Sequence, residues 1–308
     1  MNWKLRFILS AIYRNMPFHR DIRSFIRKNR HPKWSSATHN WALHHALKQI
    51  SMLKEAGIHP EEKNVLEIGT GWSPIAPIIY SLAGAKLITT IDIDYCLSED
   101  AFFVAVAGIT KNAELVANRM GLSKDKIEQK LRSLHGKKMD KALLAMNIEY
   151  RPDCNIIKDF SPDYKYDIIC SRAVLEHIDA KLVINIMEKC RELIADNGRV
   201  LHIIDNSDHW EHQDKSISRV NFLYHSDFFM SILNKFNPQD YQNRLRNYEY
   251  IDIFKKSGFD IILNDPEVHS NTLNSLEYER LNKKYKGIKR EELAAITSYI
   301  VCAKSKLH

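Results

Sequence analysis

Short apolar runs alternate with longer amphipathic stretches through most of the chain. "NVLEI" (64–68), "LITTI" (87–91), "NIIK" (155–158), "YDIICS" (166–171), "RVLHIID" (199–205), "FDIIL" (259–263) and "SYIVCAK" (298–304) read as strands, each bounded by turn residues. Helical patterns lie between them: one from Pro74, two or three within 99–147, then one each near 180–195, 248–257 and 275–294. Ahead of the first strand, the spacing of Trp41, Leu43, Leu47, Ile50 and Leu53 predicts a further helix, which Gly57 and Pro60 close. Such alternation implies crossover connections and a mostly parallel sheet covered on both faces. The polar, aromatic-rich stretch after Asp205 is too long for an ordinary loop and is expected to fold over something.

The first strand runs into "VLEIGTGWSP". A strand that ends in Gly-x-Gly and feeds a helix sets backbone N–H groups and the positive helix end beside a ligand. Ser73 is the expected N-cap, with Pro74 at the first helical position. The dinucleotide fingerprint would want a third glycine where Pro74 stands, and no Gly-Lys-Ser/Thr follows for a Walker A loop. Glu67, two residues before Gly69, would repel a pyrophosphate but suits a ligand bearing an ammonium or sulfonium group. S-adenosylmethionine carries both cations and no phosphate. Asp92, at the end of the second strand, is placed to accept from both ribose hydroxyls, with Asp94 as its competitor. Asp159, past the third predicted strand, is placed to accept from the adenine amino group.

In order and spacing, "VLEIGTGWSP", "IDID", "KDF", "YDIICSRAVLEHI" and "LIADNGRVLHIID" resemble the successive motifs of class I S-adenosylmethionine-dependent methyltransferases over about 64–205. The resemblance implies an α/β, Rossmann-like doubly wound sheet, mostly parallel with the last strand antiparallel. An N-terminal helical cap over 1–60 would precede the cofactor-binding domain, 61–308. A helical insertion (98–150) and a substrate-side lid (206–250) would interrupt that domain. It places Glu67, Gly69 and Gly71 beside the methionine part of the cofactor, Asp92 at the ribose, Asp159 at the adenine and Ser171 under the methyl group. The stretches 207–229 and 243–259 also resemble bacterial methyltransferases of glycan and cell-surface polysaccharide pathways, which implies a sugar hydroxyl as acceptor.

For a hydroxyl acceptor a general base is useful. His177, in "VLEHI", and His209, beyond the fifth strand with Asp205 nearby, are the candidates. Asp205, Asp208 and His209 are also weak candidates for a divalent metal, against the simpler reading that they cap turns. Arg244 and Arg246 could clamp an anionic group on the acceptor, or merely face solvent. His39, His44 and His45 read as surface positions on a helix.

Charge changes the picture only at one end. The net charge is +7, but residues 1–33 hold nine Lys or Arg against one acid, so the remaining 275 residues are nearly neutral. Leu5, Ile8, Leu9, Ile12 and Met16 share one helical face there, with Lys4, Arg6 and Arg14 off it or at its edge. Either this helix packs on the main domain, or it lies on an anionic membrane at its inner face. The short apolar run closed by Arg14 does not read as a signal peptide. Gly69, Gly71, Pro74 and Pro77 would break a membrane span over 68–85. Five scattered cysteines without a C-x-x-C pair fit neither a disulfide framework nor a zinc site, and suit a reducing cytoplasm. Nucleic acid is disfavoured as a substrate because the fourth strand ends in "CSRAV", without the Asp/Asn-Pro-Pro-aromatic or Pro-Cys motifs of DNA methylation. An RNA or protein acceptor, and a non-catalytic protein of the same fold, are the alternatives.

Overall fold

The computed structural model of the chain describes residues 3–14, 36–237 and 241–306. Met16 and the basic residues between 15 and 33 lie outside them. Seven strands form one sheet in the order β3-β2-β1-β4-β5-β7-β6. They are β1 (Asn64–Ile68), β2 (Leu87–Ile91), β3 (Ile148–Arg151), β4 (Tyr166–Arg172), β5 (Ile194–Asp205), β6 (Phe259–Val268) and β7 (Ala295–Lys304). The pairs among β1 to β5 are parallel, whereas β7 runs antiparallel to both β5 and β6. This is the Rossmann-like sheet that the motif order implies.

Strand residues next to each other in sequence point to opposite faces. Val65, Ile168 and Val301 accordingly enter one core, while Leu66, Ile169 and Ile300 enter the other. The first core is closed by α1's successor in the described chain, α2 (Ser36–Glu55), by α3 (Ile75–Leu82) and by four short helices before β3; α1 itself is Trp3–Arg14. These four are α4 (Glu99–Lys111), α5 (Ala113–Met120), α6 (Lys124–Arg132) and α7 (Met139–Ala145). The second core is closed by α8 (Ala180–Leu193) and, beyond α9 (Asp227–Phe236), by α10 (Asn247–Lys256). A third, satellite core joins Trp3 of α1 to Val220, Phe222 and Leu223 and to Met230 and Leu233 of α9.

Several local expectations need correction. The third strand is Ile148–Arg151, not 155–158. There Asn155 Oδ1 accepts from the Ile157 and Lys158 N–H groups, and Asp159 Oδ2 accepts from Asn155 N at 2.9 Å. Side chains thus supply the backbone partners that a strand ladder would need, and the segment closes as a turn. Region 275–294 is not one helix but mostly turns, ending in the five-residue helix Arg290–Ala294. The N-cap of α3 is Pro74 rather than Ser73, whose hydroxyl is buried without a hydrogen-bond partner. His44 is exposed as expected, but His39 and His45 are buried because α2 lies in the main core instead of on its surface. Among the described residues no helix is long and apolar enough to cross a membrane.

Candidate functional site

β1 and β4 are neighbours whose following helices, α3 and α8, leave to opposite faces of the sheet. Beyond their carboxyl ends such a divergence opens a crevice. Here it is a cleft of about 970 Å³, at the upper end of the usual range for small-molecule sites, so it has room for more than one ligand. Thr38 and Trp41 of α2 also line it, so the helix ahead of β1 is a wall of the site.

The glycine loop lines it on the β1 side. Gly69 has φ +83° and donates from N–H to the Ile91 carbonyl at 2.8 Å; Gly71 has φ +56° and donates to Asp92 Oδ2 at 2.8 Å. The other Asp92 oxygen accepts from Asp94 N at 3.0 Å. One carboxylate at the end of β2 thereby holds the loop's curvature while itself lining the cleft. A Cβ on Gly69 would stand 2.3 Å from Val174 Cγ2, so the loop also touches the segment after β4 too closely for any side chain. A Cβ on Gly71 would meet nothing within 4 Å, leaving open space beside the loop for a ligand.

Three expected cofactor residues are placed differently. Glu67 is buried behind the loop and does not line the cleft. Its Oε2 accepts from Thr90 Oγ1 at 2.6 Å, across the sheet, because both strands flanking β1 cover its side chain. Burial pushes its carboxyl up to about 7, only partly offset by the Thr90 bond and Arg172. Ser171 is fully buried, with its hydroxyl 2.7 Å from His202 Nδ1. Burial lowers His202 to about 3, so its imidazole is neutral and the pair is an uncharged hydrogen bond. Ser171 is thus not the floor of the cleft, a place taken by Arg172, Ala173 and Val174. Asp159 is exposed and caps the 155–158 turn, so Asn155 and Ile156 replace it at the far end of the cleft.

Arg172 is the charged residue that the motif reading passed over. It lines the cleft with its guanidinium 4.9 Å above the Trp41 ring, and feels both Glu67 and Glu176. Its signal in the sequence was an arginine directly after a buried strand. It supplies the cation that can face a carboxylate in the cleft, while Glu67 acts behind it.

Towards α8 the cleft meets a second cluster. His177 lines the cleft, and its Nδ1 donates to the Tyr241 carbonyl at 2.9 Å, which leaves Nε2 as the basic nitrogen. The His209 ring stands 4.9 Å from it by centroid and stacks on His212 at 5.1 Å. His209 Nε2 lies 3.3 Å from Asp205 Oδ2, a distance at which imidazolium and carboxylate pair. Burial alone would depress His209, but Asp205, then Glu176 and Asp208, outweigh it and raise it above the ordinary histidine value. For Asp205 burial works upward and is overcome by His209 and by two bonds from Ser207, holding the carboxyl well below its usual range. Glu176 is buried with one oxygen unpartnered, and burial followed by the Asp205 charge pushes it up to about 8. It therefore holds a proton at neutral pH.

One ligand atom each from Glu176, His177 and His209 lies within 4.8 Å of the others. Three points so close share a centre at most about 2.8 Å from each, the length of a hydrogen bond. A hydroxyl oxygen placed there reaches all three, and this trio is also the set that could hold a divalent cation. The expected metal set is corrected accordingly: Asp208 is buried, with Oδ1 accepting from Trp210 N and Oδ2 from Asn221 Nδ2, so it ties a turn.

Arg244 and Arg246 do not reach the cleft. Arg246 is fully buried and donates to the carbonyls of Asn206 at 2.6 Å, Leu293 at 2.9 Å and Ala295. Arg244 donates to the Phe222 and His225 carbonyls at 3.1 and 3.0 Å and pairs with Asp227. Both knit irregular backbone, where unpaired carbonyls would otherwise be buried. Neither clamps a substrate.

Comparison with known proteins gives the family. The profile of a family described as a methyltransferase domain matches residues 42–285. Among curated proteins none matches the chain. Similar solved structures include magnesium protoporphyrin IX methyltransferase from Synechocystis PCC 6803 with bound SAH, at 11% identity and TM-score 0.47, covering 97% of this chain and 99% of that one. Another is an S-adenosylmethionine-dependent methyltransferase from Mesorhizobium loti, at 10% identity and TM-score 0.47, covering 85% and 100%.

Proposed function

Because the chain belongs to the methyltransferase-domain family and uses S-adenosylmethionine, we propose that it methylates a hydroxyl of a small molecule or glycan. The observation that carries this reading is the Glu176–His177–His209 nest at the edge of the cofactor cleft. When bound, the cofactor supplies a methyl group on a positively charged sulfur. The residues present fit it: the Gly71 surface is open, Asp92 offers carboxylate oxygens at the end of β2, Arg172 offers a cation for a carboxylate, and the buried Ser73 hydroxyl in the cleft wall awaits a partner.

The chain's own groups then act on the acceptor. Glu176, protonated and with Oε2 otherwise unpartnered, donates to the hydroxyl oxygen, and His177, held by the Tyr241 carbonyl, walls the nest beside it. His209 takes the proton as methyl transfer proceeds, and Asp205 balances the imidazolium that results. A nitrogen acceptor would need no such base if it arrived neutral. A proton acceptor backed by a carboxylate therefore favours oxygen. The volume of the cleft, which exceeds what one ligand requires, also supports a bulky acceptor.

Incubation with methyl-labelled cofactor and fractionated glycans and small hydroxyl compounds tests this. Label should be found on oxygen, and His209→Ala should lower turnover by about 10²-fold or more with cofactor affinity kept. Label on nitrogen, or an undiminished His209→Ala enzyme, refutes it. Chelator dialysis should leave turnover unchanged; a loss restored by a divalent cation would reassign the trio to metal binding.

A further inference from the structure

Two helices on the acceptor side turn apolar faces outward. In α1, Trp3 is buried and stacks on Trp210 with ring centroids 4.4 Å apart and planes 7° apart, and Phe7 is half-buried. At 100° per residue, Leu5, Ile8, Leu9 and Ile12 fall on the opposite side in a stripe about 100° wide. They are 51–59% exposed. In α9 the buried residues are Met230 and Leu233, whereas Phe228 and Ile232 turn away from them and Phe236 lies beside them, with Phe228 76% exposed. Both helices are seated in the same satellite core and are linked through rings, Trp3 to His225 at 5.6 Å and His225 to Phe229 at 5.0 Å. Single exposed apolar residues need no explanation, but two stripes on helices seated in one satellite core do.

We propose that this two-helix surface docks on an anionic lipid bilayer. Charge selects that occupant. Lys4 stands exposed beside the α1 stripe, α1 contains no acid, and the first 33 residues of the sequence carry +8. Two copies of the chain meeting through these stripes would bring like charges together, whereas anionic headgroups attract both. Aliphatic side chains entering the headgroup boundary, with basic residues beside them, are the physics of an interfacial helix. Both alternatives weighed for α1 then hold at once, the Trp3 face seated on the domain and the leucine face on lipid. Trp210 is adjacent in sequence to His209, so the membrane-facing helix is stacked on the segment that carries the proposed base.

The test reads binding without turnover, so it stands apart from the acceptor assignment. The full chain is floated with vesicles of equal parts phosphatidylcholine and phosphatidylglycerol, and with phosphatidylcholine alone, at low and high ionic strength. The expected result is flotation with the anionic vesicles, weakened by salt. Leu9→Glu with Phe228→Glu should weaken it at least tenfold, while an unchanged melting temperature shows that these exposed positions leave the fold intact. No flotation, equal flotation with neutral vesicles, or binding indifferent to the two substitutions overturns the proposal. So does light scattering that shows a dimer which the substitutions dissociate.

Discussion

The two glycines of the loop should fail in different ways when given a methyl group. At Gly69 the backbone has φ +83°, a conformation that costs an L-residue roughly 1–2 kcal/mol. The new Cβ would also lie 2.3 Å from Val174 Cγ2, and Val174 is β-branched, with little rotamer freedom to move aside. Overpacking of that kind adds about 1–3 kcal/mol, so Gly69→Ala should cost about 2–5 kcal/mol of stability. At roughly 2–3 °C per kcal/mol for a domain of this size, the melting temperature falls by about 4–15 °C. At Gly71, φ is +56° and the Cβ meets no atom within 4 Å, so stability falls by only about 1 kcal/mol. That methyl group instead stands in cofactor space and should weaken binding about tenfold, or 1.4 kcal/mol. Denaturant unfolding and calorimetry with S-adenosylmethionine read the two effects separately. Val174→Ala placed in the Gly69→Ala background should return at least about 1 kcal/mol by removing the atom in conflict. If that double variant is no more stable than Gly69→Ala, or if both glycine variants lose stability equally, the close-approach account is wrong.

Other positions give sharp outcomes. Arg246→Met should destabilise by about 3–5 kcal/mol, because three buried carbonyls lose their donor, while acceptor KM in the folded fraction stays unchanged. Asp92→Ala should weaken cofactor binding by at least tenfold in calorimetry, since charge-assisted bonds contribute about 1.5–3 kcal/mol each. Glu67, raised to about 7 in the fold, contributes stability that is full at pH 4 and lost as pH climbs through 7. Glu67→Gln keeps the Thr90 acceptor without the titration. The variant should gain on the wild type between pH 5 and 8, by up to roughly 3 kcal/mol in unfolding measurements, and a constant difference would contradict the assignment.

Much of this site was legible because it is local. The glycine break, the aspartate ending β2 and the order of the strands depend on residues close together in sequence, and turn and strand chemistry act over that range. The misreadings have one origin. The 155–158 run had the composition of a strand, yet Asn155 and Asp159 satisfied its backbone first. Glu67 stood beside the loop in sequence, but its environment is set by Thr90 and by β4, more than twenty and a hundred residues away. Arg246 looked like a surface clamp until three carbonyls from distant segments enclosed it.

By itself, then, the sequence determined the layered α/β architecture, the cleft at the end of β1 and the aspartate that faces it, since periodicity and backbone stereochemistry are short-range. Only the tertiary structure decided which charges meet. Glu176 and His177 follow β4 and His209 follows β5, and it is the parallel pairing of those two strands that brings their ends together. Burial at that junction then raises Glu176, while for Asp205 the His209 and Ser207 contacts overcome burial and keep it ionised. Proton affinities of this kind belong to the assembled environment, because desolvation and through-space charge have no counterpart in the order of residues along the chain.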